Sequence, residues 1–126
     1  MLKGALSRLI KMGGKELALE LLDRFLVEGP KRLEMAREAL QEGDLHALQH
    51  HFHRLTSDAG WLGASDVQQL ASSAEVQASQ GRLEGLPQIL DSLSELCFQV
   101  CMSLEQEKAR LLDPHYTSAE GMRANS

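Results

Sequence analysis

Apolar residues recur every three or four positions along most of this chain, and this spacing restricts the fold more than any other feature. In the segment 45–62 the spacing is 3-4-3-4-3, and the apolar residues are Leu45, Leu48, Phe52, Leu55, Ala59 and Leu62. Such spacing places the apolar side chains along one face of an α-helix, as at the seam of a helical bundle. Aromatic residues, which sheets favour, make up only 4% of the chain. The sequence therefore predicts an all-α fold.

Glycines and prolines divide the periodic pattern into helices. The predicted helices cover about 2–12, 15–42, 44–62, 65–80 and 86–112. Short connections between amphipathic helices are typical of an antiparallel up-down four-helix bundle, and the first helix would be a short addition at its N-terminus. We expect residues 1–112 to form this bundle as one domain. The polar residues 113–126 are expected to be a disordered tail.

Local signals mark some helix ends. Asp44 is a predicted N-cap, and Ser65 is predicted to cap the next helix, with Gln68 three residues later completing a capping box. Pro30 lies inside the long second helix, where its missing N–H group predicts a kink. Two helices broken at Gly29-Pro30 are the alternative.

Charge and composition argue against several functions. The net charge is −5, whereas a protein that binds the phosphate backbone of nucleic acids needs a basic face. No apolar run approaches the ~20 residues of a membrane span, and the first residues do not resemble a secretory signal. Cys97 and Cys101 do not make a disulfide framework and are expected to be core thiols. The sequence predicts a cytoplasmic protein without nucleic-acid or membrane partners.

The outward face of the segment 45–62 carries a histidine beside small residues. At 100° per residue, His53 points roughly 130° away from the centre of the apolar seam, and His50 and Ser57 roughly 170° away. We therefore expect His53 to be exposed, with Ser57 and Gly60 leaving a shallow depression beside it. An exposed, neutral imidazole nitrogen is a good nucleophile, so it can accept a phosphoryl group and later release it.

Two other features of this face allow more than one interpretation. Trp61 also points outward and could anchor a partner or pack against the start of the next helix. His46, His50 and His53 follow the spacing i, i+4, i+7 and could hold Zn²⁺ or Ni²⁺. Because no convergent fourth ligand is apparent, the sequence predicts no metal site. A small all-α enzyme would need ionisable residues inside the bundle, and the apolar seams contain almost none.

The run His53-x-Leu55-x-x-x-Ala59-x-x-Leu62-Gly63-Ala64 resembles the phosphorylation-site helix of histidine-containing phosphotransfer (HPt) domains of bacterial phosphorelays. The resemblance covers about 2–112. It extends to Gly13-Gly14 followed by Leu21-Leu22-x-x-Phe25-Leu26, to Ala39-Leu40-x-x-Gly43-Asp44, to Glu75 and to Gln80-Gly81-Arg82. It implies a four-helix bundle in which His53 takes a phosphoryl group from an aspartate of one receiver domain and gives it to another.

The resemblance also implies the partners. A response-regulator receiver domain or a hybrid sensor kinase would dock on a monomer of this chain. The residues expected to border the docking surface are Ser57, Gly60, Trp61, Arg54, His50 and Thr56. The receiver would carry Mg²⁺ and the catalytic side chains, so the chain itself would need no cofactor. It would act as a phosphocarrier rather than as an autonomous enzyme.

The sequence departs from the family pattern directly after the histidine. The family usually has lysine and glycine at the third and fourth following positions, where this chain has Thr56 and Ser57. Losing the lysine removes a cation near the phosphoryl oxygens, and Asp58 adds a negative charge. Arg54 could compensate, although it is predicted to project elsewhere, and the Ser57 hydroxyl could donate to a phosphoryl oxygen. The chain could therefore be a phosphocarrier, or an HPt-like adaptor that binds a receiver or kinase without carrying phosphate.

Overall fold

The computed structural model describes residues 2–115, and these residues form helices and no strands. The four helices are α1 (Leu2–Glu42), α2 (Leu45–Trp61), α3 (Ser65–Ser79) and α4 (Leu86–Leu112). Helix α2 packs most extensively on α3 and also contacts α1, while α4 contacts both α1 and α3. The all-α prediction is confirmed. Within 2–115, no helix combines the length and the apolar character that a bilayer crossing requires.

Helix α1 is interrupted at the two glycines that were predicted to end a first short helix. Gly13 has φ −147° and ψ 19°, and Gly14 has φ 78° and ψ 179°. The positive φ of Gly14 is a conformation that side chains with a Cβ rarely adopt. The structure therefore shows two helical segments within α1 that meet at a kink at Gly13 and Gly14. The segment before the break still contributes to the core through the buried Leu6 and Leu9.

Helix α1 continues through Pro30, so the alternative of two helices broken at Gly29-Pro30 is wrong. Gly29 is buried against the neighbouring helix. A Cβ atom added there would lie 3.3 Å from Phe25 Cε1 and 3.4 Å from Cys97 Sγ. The missing side chain thus allows α4 to approach α1 at this point, and packing compensates for the hydrogen bond that proline cannot make.

The core is formed by the predicted apolar faces of all four helices. Its fully buried side chains include Leu22, Phe25, Leu48, Phe52, Leu55, Ala59, Leu62, Val67, Ala71, Ala74, Leu86, Leu90, Leu93 and Leu104. Several apolar side chains are only partly buried and pack against this core, including Leu40, Leu45, Leu70 and Val100. The buried face of α2 fixes the rotation of that helix, and hence which of its residues point outward.

The predicted capping interactions differ in outcome. The side chain of Asp44 caps α2 by accepting a hydrogen bond from the backbone N–H of Ala47 at 3.1 Å. At α3, Ala64 occupies the N-cap position and Ser65 is already the first helical residue. The prediction of Ser65 as the cap was therefore wrong by one residue, and the side chain of Gln68 lies against Gly60 instead.

One histidine of α2 is buried, which the sequence analysis did not predict. His51 is only 9% exposed, and Arg32 Nη1 of α1 donates to its Nδ1 at 3.4 Å. Burial, followed by the positive charge of Arg32 and the neighbouring His50, lowers the pKa of His51 below its ordinary 6.5, against a smaller opposite effect of Asp44. His51 is therefore held in the neutral form inside the α1–α2 interface.

This lowered pKa predicts that acid destabilises the fold. The unfolded chain binds a proton at His51 before the folded chain does, so the stability contribution is complete above pH 6.5 and is lost as the pH falls below it. We expect the free energy of unfolding in urea to decrease between about pH 7.5 and about pH 5.5, and to decrease less in His51→Gln. The same decrease in both proteins would contradict this role of His51.

Candidate functional site

The packing of α2 leaves His53 on its outer face. The side chains of Phe52 and Leu55 are buried on either side of it in the sequence, whereas the His53 side chain is 63% exposed. The ring is therefore open to solvent, as the helical geometry predicts. Its outward direction follows from the buried apolar face of α2.

The ring of His53 has one partner, the carboxylate of Glu75 on α3. The distance from His53 Nδ1 to Glu75 Oε1 is 3.1 Å, and the Glu75 side chain is 31% exposed. Because a carboxylate only accepts hydrogen bonds, Nδ1 carries the hydrogen in this contact. In the neutral ring the lone pair then lies on Nε2. Nε2 is therefore the nitrogen available as a nucleophile.

A cavity of about 270 Å³ opens beside His53 between α1 and α2. The residues that line it are Leu21, Arg24 and Phe25 of α1, and His53, Arg54, Ser57, Asp58 and Trp61 of α2. Its wall thus combines two arginines, one carboxylate and apolar surface. Arg54 lies in the same cavity as His53, contrary to the expectation that it projects to a different part of the surface.

A second cavity, of about 440 Å³, adjoins the first along α2. Its lining residues are Ala5, Arg8, Leu9, Met12, Ser57, Gly60, Trp61 and Gln68. Ser57 and Trp61 line both cavities. Trp61 is 54% exposed, which favours the interpretation as an anchor for a partner over packing against α3. Ser57 is exposed on this face of α2 beside the imidazole, whereas the side chain of Gln68 lies against Gly60.

Two of the predicted site residues lie apart from the His53 cavity. The Thr56 hydroxyl donates to the backbone carbonyl of Phe52 at 2.8 Å, and Thr56 lines a different cavity together with α3 residues. His50 is exposed one turn before His53, and its ring contacts the edge of the His51 ring at a centroid distance of 5.7 Å. The structure thus places His53, Arg54, Ser57 and Trp61 around one opening, and Gly60 in the adjoining cavity.

Neither the histidines nor the cysteines form a metal centre. Within residues 2–115 no group of three or more histidine, cysteine, aspartate or glutamate side chains could hold a metal ion, and this includes His46, His50 and His53. Cys97 and Cys101 are free thiols of α4, buried and partly buried. Their mutual hydrogen bond, followed by burial, raises the pKa of Cys97, and the same bond lowers the pKa of Cys101.

Comparison with known protein families gives a match over most of the chain. The family model described as "Hpt domain" matches residues 20–110. This chain belongs to the Hpt domain family. The resemblance inferred from the sequence motifs is thereby confirmed. Neither a comparison with curated proteins nor one with solved structures gave a significant match.

Hpt domains act in phosphorelays together with receiver domains and kinases.

Two features of the site depend on contacts between helices, and the sequence analysis did not foresee them. It associated Glu75 with the Hpt pattern but not with the ring of His53, and it gave no role to Arg24. Both residues lie on exposed or partly exposed helix faces that by themselves resemble solvated surface. The packing of α3 on α2 brings Glu75 into contact with the histidine, and the packing of α1 on α2 brings Arg24 to the wall of the same cavity.

Proposed function

We propose that this Hpt protein carries a phosphoryl group between receiver-domain aspartates in a multistep phosphorelay, with His53 as acceptor and donor. The observation that carries this proposal is the exposed imidazole whose Nδ1 is engaged by Glu75 at 3.1 Å. This contact leaves Nε2 free, beside an opening that a partner can reach.

The proposed transfer requires little chemistry from this chain. The Nε2 lone pair of His53 attacks the phosphorus of an aspartyl phosphate, an N–P bond forms, and the P–O bond to the aspartate breaks as its carboxylate leaves. Nδ1 keeps its hydrogen throughout, and Glu75 stabilises the positive charge that develops on the ring. The receiver supplies Mg²⁺, which neutralises charge on the phosphoryl oxygens. Transfer to the next receiver is the same reaction in reverse.

The proposal also covers the domain organisation, the oligomeric state and the location of the protein. Residues 1–112 would form one domain, an antiparallel up-down bundle in which the segment before Gly13 is a short additional helix. We propose that the domain acts as a monomer, because one chain contains His53, Glu75 and the adjoining cavities. The free thiols Cys97 and Cys101 are compatible with the reducing conditions of the cytoplasm, where we place it.

The docking surface in this proposal is the outer face of α2. Trp61 would provide exposed aromatic area near its centre, and Ser57 and Gly60 would allow the receiver to approach the ring. Arg54, His50 and Thr56 would border this surface. Tryptophan is enriched among the few side chains that dominate the binding energy of protein contact sites.

The decisive experiment is transfer from a charged receiver. A receiver domain phosphorylated with acetyl phosphate and Mg²⁺ is mixed with the Hpt protein, and phosphate on each protein is followed over time. We expect phosphate to move to His53 and the receiver to be dephosphorylated. Tight binding of the receiver without transfer would contradict the proposal and would favour the adaptor function.

Glu75 provides a prediction about the chemistry of the ring. In Glu75→Gln the amide can either accept from Nδ1–H or donate to Nδ1, so the preference for the tautomer with its lone pair on Nε2 weakens. Because exposed pairs of this kind contribute about 0.2–1 kcal/mol, we expect the rate of phosphoryl transfer to fall about two- to fivefold. The tautomer populations are measured by ¹⁵N NMR of the His53 ring and the rates by rapid quenching.

The matched control is Glu95→Gln, which removes an exposed carboxylate of α4 without touching α2. It should leave both the tautomer populations and the transfer rate unchanged. If Glu75→Gln slowed transfer without altering the tautomer populations, Glu75 would act through its charge alone and not by orienting the ring.

A further inference from the structure

Arg24 of α1 lines the cavity beside His53, and the function proposed above leaves its side chain without a role. The guanidinium is 43% exposed, and its Nη2 donates to Glu20 Oε1 of the preceding turn at 3.3 Å. A guanidinium has five N–H donors in a planar fork, so this contact leaves donors for a further acceptor. Arg24 is thus a cation that faces the same opening as the imidazole but belongs to a different helix.

The other charges around this opening define what it could hold. Arg54 and Asp58 also line the cavity, and their charges offset each other. Glu75 is engaged with Nδ1 of His53. Among the residues that line the cavity, Arg24 and Arg54 face the single carboxylate of Asp58, and Arg24 is also paired with Glu20 outside the lining. A cavity of about 270 Å³ is large enough for the three oxygens of a phosphoryl group.

Thr56 stands where the family pattern has its lysine, and it supplies no positive charge for phosphoryl oxygens. Thr56 directs its hydroxyl to the backbone carbonyl of Phe52 and lines another cavity. A phosphoryl group on His53 would carry up to two negative charges, and charge-assisted contacts from a guanidinium are well suited to its oxygens. In addition to Arg54 of α2, a second cation is therefore available from α1.

We propose that Arg24 binds the phosphoryl oxygens of phosphorylated His53 across the α1–α2 cavity and replaces the cation missing at position 56. The proposal deepens the proposed function and rests on it only in requiring that His53 becomes phosphorylated. It makes Arg24 a phosphoryl-binding residue, supplied by a helix that does not carry the histidine.

A chemical phosphoryl donor tests this without any receiver. Phosphoramidate phosphorylates exposed histidines directly: Nε2 forms the N–P bond, the P–N bond of the reagent breaks, and ammonia leaves. The charged wild type, Arg24→Gln and Arg24→Lys are titrated by ³¹P NMR. A nearby cation favours the dianion, so we expect the phosphoryl pKa to rise by roughly 0.2–0.7 in Arg24→Gln and to be partly restored in Arg24→Lys.

Arg37→Gln is the matched control, since Arg37 also lies on α1. It is 40% exposed and has a carboxylate partner, Asp91, at 2.9 Å on the α4 side. Its replacement should leave the phosphoryl pKa at the wild-type value. Circular dichroism spectra of all variants should agree, so that any difference in titration arises at the site and not from unfolding.

The outcomes separate this inference from the proposed function. Equal phosphoryl pKa values in the wild type and Arg24→Gln would overturn the inference, as would an equal change in Arg37→Gln. Failure of phosphoramidate to charge His53 would overturn it as well, because Arg24 would then have no phosphoryl group to bind. If Arg24 controlled the titration but a charged receiver transferred no phosphate, the proposed function would be wrong and the phosphoryl-binding role of Arg24 would stand.

Discussion

His53→Gln is expected to abolish phosphorylation of this Hpt protein by a phosphorylated receiver and to leave the fold intact. The amide nitrogen of glutamine has no free lone pair, so it cannot attack phosphorus. The His53 side chain is 63% exposed and makes one hydrogen bond, to Glu75. Surface substitutions of this kind change stability by about 0.5 kcal/mol or less. Incorporation of radioactive phosphate and urea denaturation measure the two effects.

His46→Gln is the matched control for this substitution. His46 is an exposed histidine of the same helix, two turns before His53 and outside the cavities that flank it. The His46→Gln variant should accept phosphate at the wild-type rate. Unchanged phosphate incorporation in His53→Gln would show that another residue is the acceptor, and the site assignment would be wrong.

Ser57→Trp is expected to block receiver binding and to leave the stability nearly unchanged. Ser57 is exposed and lies one turn after His53, where it lines both cavities. An indole at this position would fill the opening and stand between the imidazole and an approaching protein. We expect the dissociation constant to increase at least about tenfold, which corresponds to roughly 1.4 kcal/mol of binding free energy. Isothermal titration calorimetry with the receiver measures this change.

Ser92→Trp adds the same side chain to the exposed surface of α4, which packs on α1 and α3 rather than on α2. It should bind the receiver as the wild type does. An undiminished affinity of Ser57→Trp would place the docking surface elsewhere on the bundle. Equal losses in both variants would indicate a general effect of an exposed tryptophan.

The features that the sequence predicted well are those determined within one helix. The buried face of α2 contains Phe52, Leu55 and Ala59, and a period of 3.6 residues is sufficient to infer from them that His53 points outward. The same reasoning predicted the exposure of Trp61. Helix periodicity is a local property, so a single sequence carries enough information to determine it.

The features that the sequence analysis missed depend on how neighbouring helices are rotated and shifted. His51 is adjacent to Phe52 at the edge of the apolar face, and its contact with Arg32 depends on where α1 lies. The contact between Arg54 and the His53 cavity likewise depends on where α1 lies. Periodicity fixes which face of a helix is buried, but it does not determine which residue of the next helix lies opposite.

The contact of His53 with Glu75 could have been inferred from one further argument. His53 precedes Gly63 by ten residues and Glu75 follows it by twelve, so a helix that folds back at this glycine brings the two nearly level. The assignment of the N-cap to Ser65 instead of Ala64 is a smaller error of the same kind. Whether a serine caps a helix or begins it depends on the backbone of the turn, which is fixed by the packing of the flanking helices.

The connection between α2 and α3 has a consequence for how far such proteins can vary. Only Leu62, Gly63 and Ala64 separate the two helices, and this connection sets the alignment of His53 with Glu75. An insertion of a single amino acid into α2 between His53 and this connection would turn His53 by about 100° relative to the residues that follow it and separate the ring from the acid. The number of residues between His53 and Glu75 is therefore part of the reactivity of the imidazole, whereas the Gln80–Gly85 connection between α3 and α4 lies outside this span.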